Sequence, residues 1–200
     1  MAQLDFWYDF ASTYSYLAAS RCRTLAEVEG VSLRWRPFLL GPIFATQGWT
    51  TSPFNLFPAK GRNMWRDMER LCAARGLPLQ QPNPFPQNSL LAARLAVAVP
   101  DDLRPAFSLA VFRAEFAEGR SLSDEGVLSE CLASLGLPTA EFVQKAKSDP
   151  VRALLREETE RAQKLGLFGA PSFVTPDGEI FWGDDRLEQA LNWAKGAASQ

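Results

Sequence analysis

Hydrophobic and polar residues near the start of the chain predict two strands joined by a helix. Residues 3–8 form a short aromatic and branched run, which indicates a buried strand. Apolar residues then recur at helical spacing after Ser12 and Thr13, either of which can cap a helix, until Gly30 ends the pattern. Residues 31–36 alternate apolar and polar positions and predict a second strand. A helix that crosses between parallel strands is the expected arrangement.

The middle of the chain is predicted to be mainly helical. Residues 39–58 are rich in glycine, proline, threonine and aromatic side chains and predict a long loop that lies over the rest of the structure. Residues 80–87 contain three prolines, which excludes regular structure there. Amphipathic patterns separated by proline and glycine predict successive helices at residues 61–75, 89–99, 103–118, 124–135, 139–148 and 150–165.

The pattern returns to strands near the end of the chain. Residues 172–175 and 179–182 predict two strands, and the Pro-Asp-Gly sequence between them predicts a hairpin turn. Asp184 or Asp185 is then expected to cap a last helix that runs through Lys195.

Without the helical block the element order is β-α-β-α-β-β-α, the order of a thioredoxin-like fold. We therefore expect an α/β protein in which such a fold carries a large all-helical insertion. The expected division is a thioredoxin-like domain at residues 1–58 and 156–200 and an inserted helical domain at residues 59–155.

The amino-acid composition excludes more classes of reaction and of metal site than the net charge does. The 200 residues include no histidine, which excludes Ser-His-Asp hydrolysis, Cys-His proteolysis and histidine-ligated metals. Cys22, Cys72 and Cys131 are far apart and form no C-x-x-C motif, so neither a dithiol redox motif nor a thiolate metal site is expected. The formal net charge of −2 argues against nucleic acid and anionic membranes as partners.

Targeting and membrane-spanning signals are not expected. Asp5 and Asp9 interrupt the first apolar run, and no basic segment precedes it, which is unlike a signal peptide. No apolar stretch reaches the ~20 residues that span a bilayer. Isolated thiols fit a reducing compartment, so we expect a soluble cytoplasmic protein.

Ser12 is the first candidate for chemistry, because it stands where a strand leads into a helix. The first backbone amides of a helix converge on one point, and the helix dipole adds partial positive charge there. No histidine is present to activate the hydroxyl. Ser12 is therefore predicted to donate a hydrogen bond to an anionic group of a ligand, and not to act as a nucleophile. The alternative is that Ser12 only caps the helix.

Three further groups are candidates for binding a peptide-like ligand. Pro171, directly before a strand, is a candidate for a cis peptide bond that would present the backbone of Ala170; the alternative is an ordinary trans proline. Asp184 and Asp185 either cap the last helix or receive an ammonium group. Lys60 either pairs with a ligand carboxylate or is a solvated lysine.

Four stretches together resemble one family. They are DFASTYSY at residues 9–16, PAKG with MWRD at residues 58–67, FGAPSF at residues 168–173 and WGDDRL at residues 182–187. In this order and on these elements they resemble the 2-hydroxychromene-2-carboxylate isomerases, relatives of the kappa-class glutathione transferases in the DsbA-like thioredoxin superfamily. The resemblance covers nearly the whole chain.

The resemblance implies a glutathione site. Ser12 would hold the glutathione thiolate, in the place where redox relatives have the first cysteine of C-x-x-C. The other implied glutathione contacts are backbone pairing at Ala170 beside Pro171, the γ-glutamyl end at Asp184 and Asp185, a carboxylate at Lys60, and a polar contact at Thr50, Thr51 or Asn55.

The resemblance also implies the reaction. The thiolate adds to a hydroxychromene carboxylate, the ring opens, a bond rotates and the thiolate leaves. Phe10, Trp49 and Asn88 are expected to line the pocket for the aromatic substrate, and a homodimer without bound metal is expected. A kappa-type transferase acting on other electrophiles and a non-catalytic binding protein are the alternatives.

Overall fold

The computed structural model describes residues 2–197 and has a central sheet of four strands. The strands are β1 (Ala2–Tyr8), β2 (Val31–Pro37), β3 (Ser172–Val174) and β4 (Ile180–Trp182). Their order in the sheet is β2-β1-β3-β4. Strand β2 runs parallel to β1, whereas β3 pairs antiparallel with both β1 and β4. The predicted crossover and the predicted hairpin are therefore both confirmed.

Helix α1 (Thr13–Glu29) makes the crossover between β1 and β2. Ser12 is its N-cap residue, with extended backbone angles and a side chain that accepts a hydrogen bond from the amide of Ser15. Gly30 ends it in the left-handed conformation, with φ of 67°, which glycine adopts without steric cost. Both ends lie where the sequence predicts them.

The connection from β2 to β3 contains the helical block. Its helices are α2 (Leu40–Thr46), α3 (Pro53–Leu56), α4 (Pro58–Arg75), α5 (Leu90–Ala98), α6 (Arg104–Phe112), α7 (Glu125–Ala133), α8 (Thr139–Ala146) and α9 (Asp149–Lys164). After β4, a single 3-10 turn at Asp184–Arg186 leads into α10 (Leu187–Ala197).

Two predictions for this block are corrected. Residues 39–58 were expected to form one long loop, but they contain α2 and α3, which at seven and four residues are too short to show a helical period. The single helix expected at residues 103–118 changes at Arg113–Ala117 into a π-helical turn. That turn carries Glu115 into the protein interior, a position that the helical periodicity of the sequence does not predict.

The core lies on both faces of β1. Phe6 and Tyr8 point to one face and pack against Trp35 of β2, while Trp7 points to the other face against Phe38. All five residues are almost completely buried. Strand β1 is thus held on both sides, and its carboxyl end is a rigid platform for the residues that follow it.

The predicted division into two domains stays a prediction. Residues 1 and 198–200 of that division lie outside the described residues. Helix α9 is continuous through residues 155 and 156, where the boundary was placed.

Candidate functional site

A cavity of about 1030 Å³ opens at the carboxyl end of β1. Its walls come from the first turn of α1, the segment that contains α2 and α3, one face of α4, the approach to α5, and the turns that precede β3 and follow β4. This volume is large enough for a peptide-sized ligand and a second small molecule together.

Ser12 lies on the wall of this cavity and is 8% exposed. Its Oγ accepts a hydrogen bond from the Ser15 amide at 3.2 Å and donates one to the carbonyl oxygen of Ala170 at 2.9 Å. Within residues 2–197 the amides of Thr13 and Tyr14 have no acceptor, as expected for a first helical turn. Two amides and one hydroxyl therefore converge at a helix N-terminus, which favours an anion.

The peptide bond between Ala170 and Pro171 is cis, as the sequence suggested. Ala170 lines the cavity opposite Ser12, whereas Pro171 is buried behind it and its carbonyl accepts the Gly183 amide at 3.0 Å. The Ala170 carbonyl was expected to be free for a ligand, but the Ser12 hydroxyl occupies it. The turn before β3 and the first turn of α1 are thus joined directly.

Asp184 does not cap the last helix, and its carboxylate is already paired. It is buried, and it accepts hydrogen bonds from Arg21 at 3.0 Å and from both terminal nitrogens of Arg75 at 3.1 and 2.6 Å. Arg21 also pairs with Glu188. A ligand ammonium at Asp184 would have to compete with these two guanidinium groups, and binding of an ammonium by this residue stays a prediction.

Asp185 lines the cavity with a side chain that is 74% exposed. Its nearest cation is Arg186, at 3.6 Å, so its carboxylate remains available to a ligand. Gly183 before it has φ of 112°, and a Cβ at that position would meet the Asp185 carboxylate. Glycine is therefore required for this turn.

The remaining predicted residues divide into two groups. Thr50, Thr51, Trp49, Lys60 and Asn88 all line the cavity, so the structure brings them together with Ser12. The other group, Phe10 and Asn55, does not line the cavity.

Phe10 is fully buried in the core against Tyr8 and Phe112, so it does not reach the pocket in which it was predicted. Asn55 does not line the cavity either, and its amide donates to the Thr51 hydroxyl and to the Phe85 carbonyl at 3.3 and 3.2 Å. Of the three polar candidates near residue 50, the two threonines are therefore the ones at the cavity wall.

The apolar part of the wall comes from the segment between β2 and α4. Phe44, Trp49 and Phe54 line the cavity, and the rings of Phe44 and Trp49 are 5.8 Å apart. Phe38, by contrast, is part of the core, and Phe57 lies outside the cavity with the Lys60 ammonium 4.7 Å from its ring centre. An aromatic ligand fits such a wall.

Asp9 is a site residue to which the sequence assigned no role. It lines the cavity at 4% exposure and accepts hydrogen bonds from the amide of Ala11 at 3.0 Å, the amide of Leu40 at 2.7 Å and the hydroxyl of Ser89 at 2.7 Å. Burial raises the pKa of Asp9. One carboxylate thus ties together the starts of three cavity walls, and this could not be predicted because two of its partners are distant in sequence.

The protein's own thiols are not placed for chemistry at this site. Cys22, Cys72 and Cys131 are all buried and free. Burial raises the pKa of each, in the case of Cys131 to about 11. A sulfur anion beside Ser12 would have to come from a ligand.

Residues 2–197 contain neither a candidate membrane-spanning helix nor a candidate metal-binding cluster. No helix there has the length and apolar character needed to cross a membrane. No group of three or more cysteine, aspartate or glutamate residues in that range is arranged to hold a metal ion.

Comparisons with known proteins agree on one family. The profile of the DSBA-like thioredoxin domain matches residues 3–192. A 2-hydroxychromene-2-carboxylate isomerase of Sphingobium xenophagum is 30% identical over 186 residues, covering 92% of this chain and 94% of that protein. Glutathione S-transferase kappa 1 of Caenorhabditis elegans is 27% identical over 203 residues, covering 94% and 88%. A solved structure of 2-hydroxychromene-2-carboxylate isomerase matches with a TM-score of 0.86 at 27% identity, covering 98% of this chain and 96% of that one.

Proposed function

The chain belongs to the DSBA-like thioredoxin domain family, and from this premise we propose that it is a glutathione-dependent isomerase of 2-hydroxychromene-2-carboxylate-type aromatic acids. The isomerase and kappa-class transferase relatives, each matching more than nine-tenths of this chain, support a glutathione-related isomerase or transferase. The finer assignment rests on the geometry around Ser12.

The observation that carries the proposal is the hydrogen bond between Ser12 and Ala170 at the cavity wall. In this structure the Ser12 hydroxyl donates its single proton to the Ala170 carbonyl at 2.9 Å. When glutathione binds, that proton turns to the thiolate, and the released carbonyl accepts the amide N–H of the ligand's cysteinyl residue. One exchange of partners thus prepares both the sulfur site and the strand-like backbone contact.

The first turn of α1 then keeps the sulfur charged. The thiol proton leaves to solvent, and the Ser12 hydroxyl with the free amides of Thr13 and Tyr14 stabilises the thiolate. The thiolate adds to the hydroxychromene carboxylate and the ring opens, and a carbon–carbon double bond becomes a single bond whose electron pair is held as an enolate. Rotation about that bond and expulsion of the thiolate give the trans product, so glutathione is not consumed.

The aromatic wall formed by Phe44, Trp49 and Phe54 holds the substrate ring beside the sulfur. The same aromatic wall also supports a second candidate function. An apolar wall accepts other aromatic electrophiles, so a kappa-type transferase activity is the alternative.

One experiment separates the two activities. The purified protein is given glutathione with 2-hydroxychromene-2-carboxylate and, separately, glutathione with a chlorinated nitroaromatic compound. Conversion of the chromene without loss of free thiol supports the isomerase. Loss of one thiol per product with the nitroaromatic, without conversion of the chromene, supports the transferase.

The expected homodimer and cytoplasmic location stay predictions. Sedimentation of the purified protein tests the first, and fractionation of cells that express it tests the second.

A further inference from the structure

Helix α4 presents a stripe of four side chains to the cavity. Lys60, Asp67, Leu71 and Arg75 all line it, and their spacings of 7, 11 and 15 residues from Lys60 return to nearly one direction on an α-helix. Lys60 lies in the first turn of α4 and Arg75 is its last residue. No other lysine or arginine in the described part of the chain lines the cavity. The stripe therefore carries one cation at each end.

The middle of this stripe lies against the first turn of α1. The Tyr14 hydroxyl donates to the Asp67 carboxylate at 3.0 Å, and Tyr14 belongs to the same turn as Ser12. Asp67 also pairs with Arg70 at 3.1 Å, so its charge is already balanced. Ser12 thus stands near the midpoint of α4, with Lys60 toward one side and Arg75 toward the other.

The distance between the two cations suits a short peptide. Fifteen residues of helix separate their Cα atoms by about 22 Å along the axis. The Lys60 ammonium here lies 4.7 Å from the ring centre of Phe57, at the outer end of α4. If Lys60 turned inward and both side chains reached about 6 Å toward the centre, roughly 10 Å would separate the charged groups, close to the span of three extended residues. Glutathione is a tripeptide thiol with a carboxylate at each end and its sulfur in the middle.

The end of the stripe at Arg75 differs from the end at Lys60. The contact of Arg75 with Asp184 uses two of its five N–H donors, and the side chain is 26% exposed. Asp185, on the same turn as Asp184, adds an available carboxylate. A guanidinium beside a carboxylate complements the carboxylate and ammonium of an α-amino acid, whereas Lys60 alone complements a carboxylate.

We propose that Arg75 binds the α-carboxylate of the γ-glutamyl end of glutathione, opposite the Lys60 end at which the family resemblance already implies a carboxylate, and that Arg75 thereby selects a thiol with a carboxylate at both ends. The γ-glutamyl end lies toward Arg75 and Asp185, and the glycine end lies toward Lys60. This inference rests on the proposed function, because it concerns the same thiol ligand. It adds a residue that selects the thiol to those that activate it.

The test compares glutathione with an analogue that lacks only the α-carboxylate, 4-aminobutanoyl-cysteinyl-glycine. Calorimetry gives the dissociation constant of each ligand for the wild type, for Arg75→Gln and for Arg21→Gln. Arg21 is the matched control, because it also holds Asp184 but does not line the cavity. Arg66→Ala, which removes an exposed arginine on the same helix, controls for a general change of charge.

The wild type and both controls are expected to bind glutathione about tenfold to a hundredfold more tightly than the analogue, and Arg75→Gln is expected to bind the two almost equally. If Arg75→Gln weakens both ligands while their ratio stays as in the wild type, Arg75 acts only through Asp184 and the proposal is wrong. Equal binding of both ligands by the wild type overturns it without any variant, should Arg75→Gln not fold.

The Lys60 end is tested in the same way with Lys60→Met and with glutathione amidated at glycine. The wild type should prefer the free carboxylate by about tenfold, and the variant should lose that preference. A preference that survives in Lys60→Met contradicts the role of Lys60. If the wild type binds neither glutathione nor any analogue, the proposed function itself fails, which is a different result from a wild type that binds glutathione without discriminating between the analogues.

Discussion

Replacing Ser12 by alanine is expected to reduce both the stability of the fold and the acidity of the bound thiol. The substitution removes the cap on the Ser15 amide and the donor to the Ala170 carbonyl, two hydrogen bonds of 3.2 and 2.9 Å. A lost N-cap costs about 1 kcal/mol, and a buried carbonyl left without its donor costs about as much. The free energy of unfolding should therefore fall by about 2 kcal/mol, which urea denaturation measures.

The effect on the ligand is separate from the effect on the fold. A hydrogen bond to a charged group contributes about 1.5–3 kcal/mol, so the pKa of the bound glutathione thiol should rise by about one to two units in Ser12→Ala. The ultraviolet absorbance of the thiolate, followed against pH in the complex, gives this pKa. A thiol pKa that is the same in Ser12→Ala and in the wild type would refute the role assigned to Ser12.

Ser15→Ala is the matched control for this experiment. The Ser15 hydroxyl belongs to the same helical turn and is fully buried, and it has no hydrogen-bond partner within residues 2–197. Its removal should leave the thiol pKa unchanged and should not lower the stability.

Three further predictions concern the surroundings of the site. Asp184→Ala should lower the free energy of unfolding by about 3 kcal/mol in urea denaturation, because it leaves two partly buried guanidinium groups without their carboxylate; unchanged stability would contradict that pairing. Burial raises the pKa of Glu115, and its carboxylate oxygens have no hydrogen-bond partner among the described residues. The stability that the protonated Glu115 contributes is therefore complete below the pKa of the unfolded state and is lost as the pH rises through the pKa of the folded state. Glu115→Met should therefore be more stable than the wild type at neutral pH and should depend less on pH from about 4 upward, and parallel pH profiles of the two proteins would count against this. In Gly169→Ala the new Cβ meets the Trp182 indole at the edge of the cavity, so glutathione binding should weaken and the tryptophan fluorescence spectrum should shift. An unchanged affinity and an unchanged spectrum would contradict this prediction.

The sequence predicts the parts of the fold that are set by neighbouring residues. Strand β1, the capped start of α1 at Ser12 and its end at Gly30 are all local patterns, and the structure confirms them. The thioredoxin-like fold with a helical insertion follows from the order of these elements and is confirmed by the sheet order and the family profile.

The parts that the sequence does not predict depend on partners far along the chain. Asp184 looks like a helix cap locally, but its arginine partners are 163 and 109 residues away. Phe10 directly follows β1, a position from which a side chain can face either the cavity or the core. It faces the core because it packs against Phe112, which is distant in sequence. In the sequence, Arg75 resembles an ordinary basic residue at the end of a helix. Its position in the cavity wall depends on how α4 packs beside α1, which the sequence pattern does not predict.

The position of the glutathione sulfur tests the central claim most directly. In a crystal structure of the protein grown with glutathione, the sulfur should lie within hydrogen-bond distance of the Ser12 Oγ and of the free amides of the first turn of α1, and the cysteinyl N–H should donate to the Ala170 carbonyl. A sulfur bound elsewhere in the cavity, with the hydrogen bond from Ser12 to Ala170 still in place, would contradict the account.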